Sequence, residues 1–174
     1  MDVLIRAVRG VSLVCGIVAA ALTATAVVVV CQMVFVRYVL NQNTIWQTDF
    51  VTFSLVGATF VGAPYVLMTR GHVAVDVVPL MLGERGRFRL AVVATVLSLA
   101  FAAVATWLTG LFWLEAWENR WVSESMWRVR LWIPYAAMPI GLGVLTLQYL
   151  VDLYELVTGR ARPFGAEGPL EGGI

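Results

Sequence analysis

Four stretches of this chain carry no formal charge and no histidine: Gly10–Val36, Phe50–Thr69, Leu90–Leu114 and Leu131–Val151. Each reaches or exceeds the roughly 18–20 apolar residues that a helix rising about 1.5 Å per residue needs to cross a hydrocarbon core about 30 Å thick. A surface helix of a soluble bundle shows a charge every few residues along its wet face, and a membrane barrel shows alternating segments of about ten residues. Neither pattern is present here. The chain therefore reads as an all-α membrane protein with four transmembrane helices, spanning about 10–36, 50–69, 90–114 and 131–151, inside a membrane domain of residues 1–158. The Gly- and Pro-containing segment 159–174 is expected to be a disordered cytoplasmic tail.

The first run, 27 residues long, far exceeds the h-region of about 7–15 residues that a signal peptide carries, so it is expected to stay as an uncleaved span. Cys15 and Cys31 both fall inside it, too far apart on one helix to bridge, and are expected to be small buried side chains.

Charge distribution adds an orientation. All 12 basic residues are arginine. Eight lie in the N-terminal segment, the loop 70–89 and the tail, and four (Arg37, Arg120, Arg128, Arg130) lie on the other side. The positive-inside rule then places both termini in the cytoplasm. Six of the seven tryptophans collect at the opposite, outer end, as an aromatic belt would. The third helix is expected to run on to about Arg120, with Trp113, Trp117 and Trp121 repeating every four residues along one face toward lipid or a partner. In the inner loop, Val73, Val77 and Met81 repeat at the same interval, which suits a short interfacial helix between the second and third spans, with His72 and Asp76 on another face. A net charge of +1 gives no reason to expect nucleic acid.

The chemical inventory is short. One histidine, two cysteines on one helix and no Gly-rich phosphate loop provide no catalytic constellation, no metal cluster and no cofactor site, so no enzyme and no cofactor are expected. The acids Glu115, Glu118 and Glu124, interleaved with Arg120, Arg128 and Arg130, read as a solvated outer rim. A secondary transporter that works alone usually holds ionisable groups inside the membrane. The polar residues of these spans are Thr, Ser and Gln, such as Gln32, Thr59, Thr106 and Gln148, which serve as structural groups bonded within or between helices. Packing signals are plainer. Ala58 and Gly62 make a small-xxx-small pair flanked by Gly57 and Ala63, and Gly141 and Gly143 thin the fourth helix. Pro64 and Pro139 release the carbonyls of Phe60 and Tyr135 and should bend their helices.

The stretch from Trp46 to Asp76 carries a resemblance. Trp46 and Asp49 stand at the mouth of the second helix, Gly62-Ala63-Pro64-Tyr65-Val66-Leu67 follows, and His72-Val73-Ala74-Val75-Asp76 closes the exit. Order and spacing, with Trp132-Ile133-Pro134-Tyr135, Pro139 and Gly141 later, resemble the small membrane subunit of tripartite ATP-independent periplasmic (TRAP) transporters, the DctQ-like family. Two positions depart from the family pattern: Thr48 stands where a first acid is common, and Met68 where a basic residue is common, with Arg70 close by. The resemblance implies a non-catalytic scaffold subunit. It would brace a large sodium-coupled membrane subunit that takes up an organic acid from a periplasmic substrate-binding protein. Its partners would be those two proteins and membrane lipid. Trp46, Asp49, Ala58, Gly62, Ala63, Tyr65, Arg70, His72 and Asp76 are then the candidate subunit-interface or structural residues, with the second-helix small face holding the large subunit. Trp117, Arg120, Trp121, Arg128 and Arg130 are candidate contacts for the binding protein. A stand-alone four-helix exporter acting as a dimer is the alternative.

Overall fold

A computed structural model of the chain describes residues 2–69 and 84–158. The expected inner-loop helix with Arg70, His72 and Asp76, and the tail 159–174, lie outside the described residues. The elements are α1 (Asp2–Tyr38), α2 (Trp46–Met68), α3 (Glu84–Glu118), α4 (Trp132–Tyr135) and α5 (Ala137–Val157). With α4 and α5 taken as one interrupted span, four helices are long and apolar enough to cross a membrane: Ile5–Tyr38, Trp46–Met68, Phe88–Glu118 and Trp132–Val157.

The order of packing is α1, α2, α5, α3: α2 and α5 form the centre, α1 lies against α2, and α3 lies against α5. α1 also touches α5, whereas α3 makes no substantial contact with α1 or α2. The bundle is thus an open row with α3 at one edge. Within α1, Ile5, Val8, Ser12, Cys15, Ala19, Leu22, Ala26, Val29, Met33 and Val36 are buried or half-buried in alternating steps of three and four, with Gly16 and Val30 half-buried beside them. That 3.5-residue spacing keeps one seam on the neighbours, as in a coiled coil. Cys15 lies in the seam and is buried; Cys31 lies off it and is exposed, contrary to the expectation that both are buried.

What lets the centre close is the removal of side chains. Pro64 has no N–H to give Phe60, so that carbonyl is free of its helical bond. Gly141 of α5 presses onto the freed Phe60 carbonyl; a Cβ at position 141 would collide with it and would lie 2.9 Å from the Val61 nitrogen. Such an approach suits a Cα–H···O contact and lets two helices meet without a hydrophobic driving force between them. Gly143, about 200° further round at 100° per residue, faces the other way, where a Cβ would stand 3.8 Å from Thr106 of α3. The α5–α3 side is pinned by the Thr106 and Thr146 hydroxyls, 3.1 Å apart. Each is also within bonding distance of its own helix, at the Ala102 and Leu142 carbonyls, so one proton stays home while the other crosses.

Pro139 sits in the first turn of α5, where no helical N–H is needed, and the fourth span breaks just before it, at Ala136. The interruption falls beside the carbonyl of Tyr135 that Pro139 leaves unpaired.

At the end of the bundle where α1 begins and α5 finishes, polar groups tie the two. Ser12 donates to Gln148 Oε1 at 3.1 Å, and Gln148 Nε2 donates to Asp152 at 3.1 Å. Gln148 is 1% exposed, so its amide is satisfied rather than stranded. Ile5, Val8 and Val151 with Tyr154 close the apolar side. Arg9 and Glu155 pair at 2.8 Å at the rim, where half of the Arg9 side chain is exposed and the pair adds at most about 1 kcal/mol.

The glycines provide an internal contrast. Gly141→Ala is expected to destabilise the chain by roughly 1–3 kcal/mol, as overpacking does. Gly110, whose Cβ would meet nothing within 4 Å, is expected to accept alanine at no cost. Unfolding midpoints in mixed micelles check this; equal tolerance at both positions would contradict the close approach.

Candidate functional site

The tryptophan end is held by a loop that folds on itself. α3 stops at Glu118 in a Schellman motif, with Trp121 N–H bonded to the Ala116 carbonyl (3.1 Å) and Arg120 N–H to the Trp117 carbonyl (3.3 Å). The motif places its left-handed residue at Arg120 (φ 49), where glycine is usual. The chain then forms a small two-stranded ribbon: Ser123 N–H to Val129 O at 2.8 Å, Leu131 N–H to Trp121 O at 2.9 Å, and a bridge between Val122 and Arg130. A turn closed by Arg128 N–H to Ser125 O (3.1 Å) reverses it, with Arg128 also left-handed (φ 48).

Alternation along a ribbon sends every second residue to one side. Arg120 and Val122 on one arm, and Arg130 and Trp132 on the other, line a cleft of about 530 Å³ together with Trp117. Trp121 lies between Arg120 and Val122 and packs its ring on Phe112 at 5.5 Å, which in turn meets Tyr135 at 5.2 Å. Trp117 meets Trp132 edge-on at 4.5 Å, and Trp113 donates its indole N–H to the Trp132 carbonyl at 2.9 Å. The repeating tryptophans of α3 thus dock largely on the chain's own fourth span and loop, rather than forming one face turned outward. No carboxylate lies within ion-pair distance of Arg120, Arg128 or Arg130 among the described residues, so the interleaved acids of the rim do not neutralise them.

Trp46 and Asp49 reach the same loop from α2. The Trp46 ring stacks near Phe50 (6.0 Å) and Trp127 (6.1 Å), and Ser123 donates to Asp49 Oδ2 at 3.4 Å. Asp49 lies in the first turn of α2, where a carboxylate also complements the helix dipole. Thr44 Oγ1 and Gln47 Oε1, close by, are buried without a hydrogen-bond partner.

The small-residue face of α2 lies where a partner was expected, but its occupant is α1. A Cβ at Gly62 would stand 3.1 Å from Ala19 Cβ, and one at Gly57 would stand 3.4 Å from Leu22. Tyr65 covers Gly16 so closely that a Cβ there would come within 2.9 Å of the Tyr65 Cβ. Ala58 and Ala63 are half-buried on the same helix. Gly57 and Gly62 thus have α1 as a neighbour within the chain, since small residues in lipid admit whichever backbone comes nearest.

The edge helices expose large apolar side chains among smaller ones. On α1, Val14, Ile17, Val28 and Phe35 are exposed, and on α3 so are Leu97, Phe101, Trp107 and Leu108, with Phe101 76% and Trp107 70% exposed. Sequence reasoning did not find these faces, because a span that is apolar all round hides which side is covered. It also missed Val122, Ser123, Trp127 and Trp132. The alternation Arg128-Val129-Arg130-Leu131 is the one signal that points to the ribbon.

These features define a multi-pass membrane protein with four spans among its described residues. Residues 26–159 match the family described as "Tripartite ATP-independent periplasmic transporters, DctQ component". The chain belongs to that family, and so is a small TRAP transporter permease subunit of the bacterial inner membrane. It is 29% identical over 148 residues to the C4-dicarboxylate TRAP transporter small permease protein DctQ of Vibrio cholerae serotype O1 (strain ATCC 39315 / El Tor Inaba N16961), a match covering 73% of this chain and 64% of that relative. The chain therefore spans less than two thirds of the relative's length.

The occupied α2 face yields a clear expectation. Gly62→Leu should loosen the isolated chain itself, lowering its unfolding midpoint in detergent by about 1–3 kcal/mol through overpacking against Ala19. A variant as stable alone as the parent, yet unable to bind a partner, would restore the intersubunit reading.

Proposed function

We propose that this chain is the non-catalytic scaffold subunit that braces the large, sodium-coupled membrane subunit of a TRAP transporter, for uptake of an organic acid delivered by a periplasmic binding protein. One observation carries the reading: the four runs from Gly10–Val36 to Leu131–Val151 contain no ionisable side chain other than cysteine and tyrosine, while both edge helices expose large apolar side chains such as Ile17, Val28, Leu97 and Phe101. Such spans have little with which to hold a charged substrate inside the membrane. The α3 face bearing Leu97, Phe101 and Leu108, with Trp107 exposed beside it, instead has large side chains of the kind that anchor interfaces.

In this proposal α2 and α5 form the stiff centre, and the faces of α1 and α3 widen the stationary part of the transporter against which the large subunit moves. Both termini lie in the cytoplasm, in keeping with the arginine bias, so the tryptophan end faces the periplasm. There the exposed turn bearing Glu124, Met126 and Arg128 meets the binding protein, while Trp121 holds the loop's shape from beneath.

Co-purification tests the reading. The chain should come out of the membrane in a stable complex with the large subunit encoded beside it, and deleting it should abolish uptake without removing the large subunit from the membrane. Full uptake in the deletion strain, or transport by this chain alone in liposomes, would contradict the proposal, and the second result would favour an independent exporter.

A further inference from the structure

Three of the residues expected to touch the binding protein, Trp117, Arg120 and Arg130, instead line the cleft at the tryptophan end, and that lining is unusual for a void in a membrane bundle. Its walls are the rings of Trp117 and Trp132 and the side chain of Val122, and its polar groups are the guanidiniums of Arg120 and Arg130. Neither guanidinium has a carboxylate or a hydrogen-bond acceptor among the described residues. Two like charges brought to one cleft repel unless an anion joins them.

The backbone has been shaped to bring them there. Arg120 holds the left-handed position of the helix cap, at a cost of roughly 1–2 kcal/mol that a glycine would avoid. Ribbon pairing at Val122 and Arg130 then sets the second arginine opposite the first arm.

Depth fixes the kind of anion. α3 has 35 residues, about 52 Å at 1.5 Å per residue, so it outruns a hydrocarbon core of about 30 Å and its last turns stand among headgroups. The tryptophans gathered around the cleft belong at that level. A volume of about 530 Å³, apolar on its walls and doubly cationic, matches a phosphodiester with the start of its glycerol chain. The planar fork of arginine suits phosphate oxygens in a way a point charge does not.

We propose that the Trp117–Arg120–Arg130–Trp132 cleft binds the headgroup phosphodiester of an anionic phospholipid from the leaflet at the tryptophan end. The lipid neutralises both arginines and fills the space beneath the ribbon, so the loop and the edge helix α3 rest on it. The site is independent of the transport role proposed above, since it needs neither the large subunit nor a substrate.

Native mass spectrometry of the full chain in a mild detergent, titrated with phosphatidylglycerol or with phosphatidylcholine of the same acyl chains, tests the site. Phosphatidylglycerol should bind at least about tenfold more tightly than phosphatidylcholine, and Arg120→Gln with Arg130→Gln should abolish that preference, since hydrogen bonds to charged groups are worth a factor of this size each. Arg128→Gln, which removes a neighbouring arginine that does not line the cleft, should leave binding within about twofold, as exposed charges do. Circular dichroism reports folding of each variant. Should the glutamine pair unfold, the pair Arg120→Lys with Arg130→Lys replaces it and should keep the preference for phosphatidylglycerol while binding it less tightly. Equal binding of the two lipids, or undiminished phosphatidylglycerol binding in the glutamine pair, would overturn the proposal. So would displacement of the lipid by millimolar inorganic phosphate or succinate, which would mark a site for a free anion. Undiminished lipid binding with loss of capture by the substrate-binding protein would overturn it in favour of a protein-docking cleft.

Discussion

The contact between Gly141 and the freed carbonyl of Phe60 is the constraint on which the rest of the arrangement depends. A transmembrane bundle gains nothing from hiding apolar side chains from lipid tails that are equally apolar, so backbone proximity and polar contacts must hold it together. Pro64 removes the N–H that would have claimed the carbonyl, and glycine at 141 removes the Cβ that would have kept the helices apart. With α2 and α5 so close, Gly57 faces Leu22 and Ala137, Gly62 meets Ala19, and α1 lies along the other side of α2. On the far side of α5, Gly143 and the Thr106–Thr146 pair seat α3. The row of helices grows outward from one close crossing.

This economy has a functional corollary. Gly57, Gly62, Gly141 and Gly143 and the Thr106–Thr146 pair are used inside the chain, while the edge helices turn large side chains such as Ile17, Val28, Leu97 and Phe101 outward among smaller ones. Membrane proteins recognise partners by shape on such faces, and Leu97, Phe101 and Leu108 share one exposed side of α3. The tryptophan end follows another principle. Trp46, Trp113, Trp117, Trp121, Trp127 and Trp132 interlock there with Asp49, Ser123 and a ribbon of arginines, and the loop acquires a definite shape without a disulfide or a bound metal in its described residues.

Fold class was legible because the membrane makes it so: a charge-free run of twenty residues admits little besides a span. The helices nonetheless run past those runs, α3 to Glu118 and α1 from Asp2, since charged side chains at a helix end reach the headgroups and cost little there. Pro64, Pro139 and Gly141 announced tight geometry and did not say against what. Gly62 carried the same ambiguity, because a small residue records that something comes close and not whether it is another helix of the same chain. The arginine cleft was hidden more deeply. Its residues come from a helix cap, two ribbon arms and the next helix, and only the hydrogen bonding of Trp121 with Leu131 and of Ser123 with Val129 brings them together.

The central claim is that the small-residue face of α2 packs within the chain and that the exposed faces of the edge helices α1 and α3 carry the large subunit. A photo-crosslinking scan in the assembled transporter tests it most directly, with a photoreactive residue placed singly at Val28, Leu97, Phe101 and Trp107 on the edges and at Ala58 and Ala63 on α2. The account predicts crosslinks to the large subunit from at least one edge face and none from the α2 positions. Crosslinks from Ala58 or Ala63, with both edge faces silent, would contradict it.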